Sequence, residues 1–347
     1  MLPEELAEEL APLGEPGFRG QQIFHWIHGR AVTDFGAMTN LPAALRSELG
    51  RRFCALPLRV VDRVAGESRG GRAPRAVKYL LELADGEQIE AVALGQKWGE
   101  TACLSTQVGC PICCVFCASG RGGLRRNLSA GEIAGQVIAL RQQGHDVRRV
   151  VFMGIGEPLL NLDALVQAIR VLCDKRGMGL PQRNVTISTV GLPEKIRALA
   201  QTGLRVRLTV SLQAPTDELR QKLVPHAPAD VREILAAGFE YARAARRRLT
   251  VAYVVVPGVN DGREEARALA MLLKYRGALV NIVPFNPIGD ARFTPDPGAA
   301  YRFQRLLARE GISATVRASV GLEAEAACGQ LRARRAGEER VEEKQRA

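Results

Sequence analysis

Short apolar runs rich in β-branched residues alternate with stretches of helical periodicity from about Arg149 onward. Runs of this kind suit buried strands, and a repeat of about 30 residues per strand and helix is typical of parallel βαβ units. The predicted strands lie at residues 150–153, 185–188, 206–212, 249–256, 280–285 and 314–316. The pattern therefore predicts an α/β fold, either a partial (β/α)6 barrel or a doubly wound sheet, with the working residues at the carboxyl ends of the strands.

The clearest helix is predicted at residues 128–144, just before this alternation. Ser129 and Glu132 form a capping box at its start, and Gly144 follows its last apolar position. Residues 1–50 also show helical spacing, with apolar side chains at Phe24, Trp26 and Ile27. They predict a small N-terminal helical domain beside the barrel.

The rest of the chain divides into three parts. Residues 51–102 predict a short antiparallel extension, with strands at 56–64, 76–83 and 88–94. Residues 103–331 form the predicted barrel core. Residues 332–347 lack apolar periodicity and are expected to be a flexible charged tail.

Composition narrows the class of protein. The 347 residues are 46% hydrophobic and 24% charged, which excludes disordered and fibrous chains. The acidic start does not resemble a signal peptide, and the longest apolar run, at 251–257, is far shorter than the roughly 20 residues that cross a bilayer. We therefore expect a cytoplasmic protein without membrane contact. The formal charge of +11 favours a polyanionic partner such as nucleic acid, although a solvated basic surface would give the same count.

The most informative stretch is the sequence GCPICCVFC, which contains four of the eight cysteines: Cys110, Cys113, Cys114 and Cys117. In a reducing compartment such a cluster indicates metal binding or catalysis. Two adjacent CxxC pairs could hold zinc, but structural zinc sites usually draw their pairs from separated loops. The spacing Cys110-x3-Cys114-x2-Cys117, with Phe116 before the last cysteine, instead suits a [4Fe–4S] cluster with one iron left open. Buried structural cysteines are the third alternative, and we expect Cys113 to pack away from any cluster.

The spacing CxxxCxxC with an aromatic residue before the last cysteine resembles the radical S-adenosylmethionine (SAM) enzymes, which have a partial (β/α) barrel. In those enzymes the open iron binds the amino and carboxyl groups of SAM. Further blocks resemble one group of them, the RlmN/Cfr RNA methyltransferases: CLSTQVGC, RRNLSAGEI, FMGIGEPLLN, NVTISTVGL, LTVSLQAPTDELR, VNIVPFNP, TVR with EAEAACGQL, and FRGQQIFHWI with VTDFGAMTNLP. Together these blocks span residues 18–331.

This resemblance implies an enzyme that methylates a ring carbon of adenine in RNA. We expect C2 of an adenine in 23S ribosomal RNA, with tRNA as a further candidate substrate. The resemblance also implies that Cys328 takes a methyl group from one SAM, and that a radical from a second SAM activates this methyl group for addition to the adenine. Glu90 then stands at the position of the proton acceptor. Cys103 stands at that of the thiol that resolves the adduct through a transient disulfide with Cys328.

The expected cofactors are SAM and one [4Fe–4S] cluster held by Cys110, Cys114 and Cys117. Polar groups at the ends of successive strands are expected to bind SAM: Gly156, Glu157, Ser188, Ser211, Leu212, Gln213 and Asn286. This chain departs from the group at these positions among others. Gln213 stands where the group usually has histidine, and residues 318–320 stand where the group has cations near Cys328.

Partners follow from the same resemblance. Arg121, Arg125 and Arg126 lie just after the cluster loop and are expected to contact RNA, with residues 1–50 as an RNA-binding accessory domain. A small electron donor such as flavodoxin or ferredoxin and a monomeric state are also expected. C8 methylation of the Cfr type stays open, as does a non-catalytic RNA-binding paralogue with an iron–sulfur or a zinc site.

Overall fold

The computed structural model describes residues 1–66, 75–96, 99–228, 230–289, 292–317, 320–322 and 324–331. Twelve strands lie in this part of the chain: β1 (Leu58–Ala65), β2 (Ala76–Leu83), β3 (Gln88–Leu94), β4 (Glu100–Cys103), β5 (Gln107–Gly109), β6 (Leu124–Asn127), β7 (Val147–Phe152), β8 (Val185–Thr189), β9 (Arg207–Ser211), β10 (Thr250–Val255), β11 (Leu279–Pro284) and β12 (Ala314–Val316). The tail predicted at 332–347 and the departures at Ala318 and Ser319 lie outside the described residues.

Ten α-helices accompany these strands in the described residues: α1 (Pro3–Leu10), α2 (Phe18–Phe24), α3 (Ala43–Arg52), α4 (Ala130–Gln142), α5 (Leu162–Cys173), α6 (Pro193–Gln201), α7 (Asp217–Leu223), α8 (Val231–Ala245), α9 (Arg263–Leu273) and α10 (Ala299–Arg309). Helix α4 begins with the predicted capping box, in which Ser129 Oγ accepts from the Glu132 N–H and the Glu132 carboxylate accepts from the Ser129 N–H. Trp26 and Ile27 lie in a π-helical turn, His25–Gly29, that continues α2.

Ten of the strands form one sheet in the order β1-β2-β3-β4-β7-β8-β9-β10-β11-β12. Strands β1 to β4 pair antiparallel, whereas β4 and β7 to β12 run parallel to one another. Helices connect the successive parallel strands from β7 onward. The sheet is open, with β1 and β12 at its two ends, and it carries an antiparallel extension on a mostly parallel core, so the predicted α/β fold class is confirmed.

Strand β4 is an addition to the predicted parallel strands. Its four residues, Glu-Thr-Ala-Cys, contain no apolar run, so the sequence pattern does not reveal it. It becomes a strand because it pairs with β3 on one side and with β7 on the other. The expected boundary between extension and core, after residue 102, therefore falls inside β4.

The two largest apolar cores of the described residues lie in the barrel and in the N-terminal helices. The main core lies between the parallel strands and the helices that cover them, and Val150, Phe152 and Ile187 are buried in it. The N-terminal helices have a second core, which includes Leu10 and Ile23 and meets α4 at Ile138. None of the helices in the described part of the chain has the length and apolar character needed to cross a membrane. The carboxyl ends of the parallel strands lie at one edge of the sheet, where the loops that bear the predicted site residues begin.

Candidate active site

A cavity of about 170 Å³ opens at the carboxyl ends of the parallel strands. It is enclosed by the loop between β5 and β6, by the loops that follow β7, β8, β9 and β11, and by the segment after β12. Its wall includes most of the polar residues that the sequence analysis selected: Cys110, Cys114, Cys117, Gly156, Glu157, Ser188, Ser211, Gln213, Asn286 and Cys328. We call this the strand-end cavity.

Three thiols lie in one short loop on the wall of this cavity. Burial raises the pKa of Cys110 to about 12 and raises the pKa values of Cys114 and Cys117, and each thiolate would also raise the pKa of its neighbours. In the described residues no group of three or more His, Cys, Asp or Glu side chains converges closely enough to hold a single metal ion. An iron–sulfur cluster does not need such convergence, because each thiolate binds a different iron.

Cys113 lies in the same loop but does not line the cavity. Its backbone is left-handed, with φ 53°, and its thiol donates to the carbonyl of Gly120 at 3.3 Å. The structure thus separates Cys113 from the other three cysteines, as the register Cys110, Cys114, Cys117 requires.

The loop after β7 needs a glycine at position 156. Its φ is +106°, and a Cβ there would lie 2.6 Å from Gln107 Cβ. The next residue, Glu157, is 2% exposed, and its carboxylate accepts from the N–H groups of Leu159 and Val190 at 3.0 and 2.8 Å. Burial raises the pKa of Glu157 although these hydrogen bonds lower it.

The ends of β8 and β9 meet through Ser188 and Ser211, whose hydroxyl oxygens are 3.2 Å apart. Gln213 has a left-handed backbone, with φ 67°, and its side-chain oxygen accepts from the Val254 N–H at 2.6 Å. The amide therefore ties the β9 loop to β10 through an acceptor oxygen, a contact that does not depend on charge. Leu212 does not line the cavity and is fully buried.

Arg220, which has no role in the sequence-based predictions, holds these loops through hydrogen bonds to their backbone. The side chain is fully buried on α7, and its guanidinium donates to the carbonyls of Val190, Ser211, Leu212 and Pro228. Burial lowers its pKa to about 10. The sequence around Arg220 gives no indication that this side chain donates to backbone carbonyls of three separate loops.

A second cavity, of about 320 Å³, adjoins the first. Cys103 and Cys328 both line it, together with Arg75 and Gln96, and we call it the two-cysteine cavity. The two cavities share part of their walls: Met153, Val283, Asn286, Arg317 and Cys328. The shared walls place Cys328 at the junction of the two spaces.

The two thiols of this cavity differ in environment. Cys328 is exposed, whereas Cys103 is buried, and burial raises the pKa of Cys103 to about 12 while Arg317 opposes the rise. Arg317 is a further residue to which the sequence analysis gives no role. All eight cysteines, each of them within the described residues, are free thiols, so the structure contains no Cys103–Cys328 disulfide.

The segment that bears Cys328 is docked on the cluster loop. The Ala118 N–H donates to the Gly329 carbonyl at 2.7 Å, and Ser119 Oγ donates to the Leu331 carbonyl at 2.6 Å. The Asn286 side chain donates to the carbonyl of Cys328 itself at 3.0 Å. These contacts hold Cys328 between the cluster loop and the end of β11.

Glu90 lies in β3, outside the walls of both cavities. It is 4% exposed, its carboxylate is 3.0 Å from Lys78 Nζ, and its backbone carbonyl accepts from Ser105 Oγ at 2.6 Å. Leu94, which is on the same face of β3, does line the two-cysteine cavity. Glu90 therefore lies on the strand that forms one wall of that cavity.

Arg125 and Arg126, which follow the cluster loop and are expected to contact RNA, form ion pairs within the protein. Arg126 donates to Asp85 at 2.6 Å and to Glu132 at 2.8 Å, and Arg125 pairs with Glu87 at 3.1 Å. These ion pairs join the β2–β3 turn to the start of α4, so Arg126 is occupied by two carboxylates. Glu132 is six residues from Arg126, whereas Asp85 is 41 residues away and comes next to it only in the fold.

Comparison with known protein families gives two matches. Residues 104–270 match the model of the radical SAM superfamily, and residues 1–55 match that of the ribosomal RNA large subunit methyltransferase N-terminal domain. The first match covers the cluster loop and the strands to β10, and the second covers the N-terminal helices.

Curated proteins and solved structures agree with these matches. A probable dual-specificity RNA methyltransferase RlmN from Symbiobacterium thermophilum is 46% identical over 337 residues, which cover 95% of this chain and 90% of that protein. A protein of the same description from Moorella thermoacetica is 42% identical and covers 96% of each chain. The crystal structure of a radical SAM methyltransferase from Sphaerobacter thermophilus superposes with a TM-score of 0.89, at 41% identity, over 96% of this chain and 98% of that one.

Proposed function

The chain belongs to the RlmN family of radical SAM methyltransferases, and on this premise we propose that it methylates C2 of an adenine in RNA through an S-methylcysteine at Cys328. Ribosomal RNA is the proposed main substrate, and tRNA is the proposed second one, since the relatives named above are described as dual-specificity RNA methyltransferases. The net charge of +11 agrees with a polyanionic substrate. The observation that carries the proposal is that Cys328 lies where the strand-end cavity meets the two-cysteine cavity.

Membership of this family implies a [4Fe–4S] cluster and SAM, and the strand-end cavity fits both. Its donors are three soft thiols from one loop, with no fourth cysteine on the wall near them except Cys328 among the described residues. When bound, SAM and the cluster would supply the methyl group and the organic radical, and the cluster would also take up the single electron that the RNA adduct must lose. Cys110, Cys114 and Cys117 would hold the cluster, and the polar groups at the strand ends would hold SAM: Gly156, Glu157, Ser188, Ser211, Gln213 and Asn286.

The two-cysteine cavity is the proposed place of RNA modification. Cys328 carries the transferred carbon as a thioether and becomes joined through it to the adenine. Glu90 accepts the proton that the modified ring carbon releases. The Cys103 thiolate then attacks Cys328 Sγ, so that an S–S bond forms while the bond from Cys328 Sγ to the transferred carbon breaks. The electron pair of that bond goes to the carbon, which takes up a proton and becomes the methyl group, and a cellular dithiol reduces the disulfide.

The burial of Cys103 affects the reactivity of its thiol. A thiol with a pKa of about 12 is almost entirely protonated at neutral pH and therefore a weak nucleophile. Burial beneath the docked Cys328 segment thus protects the free enzyme from premature disulfide formation. Arg317, which lines the same cavity, opposes this rise in the pKa of Cys103.

The substrate and the ring position can be tested together. Reconstituted protein is incubated anaerobically with SAM, a reductant such as flavodoxin or ferredoxin with its reductase, and ribosomal RNA fragments or tRNA. Digested nucleosides are compared by chromatography and mass spectrometry with 2-methyladenosine and 8-methyladenosine. The proposal expects 2-methyladenosine, and 8-methyladenosine or unmodified RNA would contradict it. Action on cytoplasmic RNA as a monomer is part of the same proposal, and gel filtration with and without RNA tests the monomer.

A further inference from the structure

Lys78 contacts both the strand of the proposed base and the segment that bears Cys328. Its ammonium lies 3.0 Å from a carboxylate oxygen of Glu90 and 3.4 Å from the backbone carbonyl of Glu325. Strands β2 and β3 pair so that Leu80 is opposite Glu90 and Lys78 opposite Val92. The two charged groups are diagonal neighbours on one face of the pair, and their side chains are only 12% and 5% exposed.

The Cys328 segment packs on this same face. Ala324 and Ala326 join a small apolar cluster with Ala76 and Val92, and a Cβ at Gly321 would lie 2.8 Å from Ala76 Cβ. Glu325, between the two alanines, has a left-handed backbone with φ 47°, and its carbonyl accepts from Lys78. The ammonium of Lys78 thus lies between the proposed base and the docked segment.

The charge of Lys78 matters because Glu90 is buried. A carboxylate removed from water favours its protonated form unless a cation or hydrogen-bond donors compensate. Its contacts include the Lys78 ammonium on β2 at the carboxylate and the Ser105 hydroxyl at the backbone carbonyl. Of these, Lys78 contributes a positive charge, and a base that must accept a proton has to be ionised beforehand.

We propose that Lys78 is a positioning residue of the methyl transfer reaction, which keeps Glu90 as an oriented carboxylate and fastens the Cys328 segment over it. This inference rests on the proposed function. It predicts that loss of the ammonium slows the release of the RNA adduct, because that release follows proton removal by Glu90. It also predicts that arginine, which keeps the charge and can still reach a carboxylate, largely preserves the rate.

The experiment compares Lys78→Met, Lys78→Arg and Glu90→Gln with the wild-type enzyme, each reconstituted with its cluster. The fraction of protein joined covalently to RNA is measured on denaturing gels between about pH 6.5 and about pH 9, and each variant is compared with wild type at the same pH. Formation of 5′-deoxyadenosine is measured in parallel, since SAM cleavage does not involve Lys78. Thermal unfolding of each variant checks the fold.

Glu90→Gln should accumulate adduct at every pH, because glutamine cannot accept the proton. Lys78→Met should accumulate adduct near neutral pH, with release at least about tenfold slower than wild type, and should recover as rising pH ionises Glu90. Lys78→Arg should follow the wild-type pH profile, and in a single turnover both Lys78 variants should form 5′-deoxyadenosine at the wild-type rate.

Two results would overturn the inference while leaving the proposed function intact. In the first, Lys78→Met releases RNA like wild type at every pH. In the second, its slow release does not change with pH, or Lys78→Arg is as slow as Lys78→Met, which would show a purely structural role. Failure of the proposed function is recognised separately, because the wild-type enzyme would then yield no methylated adenosine at all.

Discussion

Replacing Arg220 by methionine tests how the loops around the strand-end cavity are held in place. The arginine is fully buried and donates to four backbone carbonyls, those of Val190, Ser211, Leu212 and Pro228. Methionine fills a similar volume but offers no donor, so these carbonyls lose a hydrogen-bond donor at a buried position. At about 1 kcal/mol for each unsatisfied acceptor, the free energy of unfolding should fall by about 4 kcal/mol.

Arg197→Ala is the matched control for this substitution. Arg197 also makes several charged contacts, with Glu233 at 2.8 Å and Glu240 at 2.8 Å, but its side chain is 39% exposed. Exposed pairs of this kind contribute at most about 1 kcal/mol. Urea unfolding of the two cluster-free variants, followed by far-UV circular dichroism, measures both losses. The reasoning is refuted if Arg220→Met loses no more stability than Arg197→Ala.

The cysteines provide three more expected outcomes. Alanine at Cys110, Cys114 or Cys117 should abolish iron loading and SAM cleavage, whereas Cys113→Ala should keep both. Iron analysis and 5′-deoxyadenosine assays measure these two properties. Equal loss in all four variants would contradict the register Cys110, Cys114, Cys117. Cys103→Ala should leave RNA covalently attached to the protein, and Cys328→Ala should give neither adduct nor product, as seen on denaturing gels with and without RNase. The pKa of Cys103 is raised from 9.0 to about 12, so its thiolate fraction at pH 8 is about 1000-fold below that of an ordinary cysteine. Its alkylation rate should therefore rise about tenfold per pH unit. An alkylation rate equal to that of free cysteine would be inconsistent with the burial of Cys103.

Much of the fold can be predicted from the sequence because the parallel strands from β7 to β11 are largely buried and stand out as apolar runs between helices. The start of α4 is equally readable, since a capping box is a local contact between Ser129 and Glu132. Strand β4 is different. Its four residues have no apolar pattern of their own, and only pairing with β3 and β7, which are distant along the chain, makes them a strand.

The candidate site divides in the same way. The cluster cysteines and the strand-end residues are recognisable because their spacing or their place after a strand determines where they lie. Arg220, Lys78 and Arg317 cannot be recognised in this way. Arg220 donates to backbone carbonyls, Lys78 pairs with a carboxylate on the neighbouring strand, and Arg317 lines a cavity formed by segments remote in sequence. Arg126 shows the reverse case, since a cation that suits RNA in the sequence is paired with Asp85 and Glu132 in the fold.

The passage of the methyl group through Cys328 is most directly tested by the isotope content of the product. The enzyme is incubated with SAM whose methyl group carries three deuteriums, and the methylated adenosine is weighed by mass spectrometry. We expect a methyl group with two deuteriums, because one is lost when the carbon on Cys328 is activated and a solvent proton replaces it when the Cys103 thiolate releases the product. A product that retains all three deuteriums would mean direct transfer from SAM to the RNA and would contradict the assigned roles of Cys328 and Cys103.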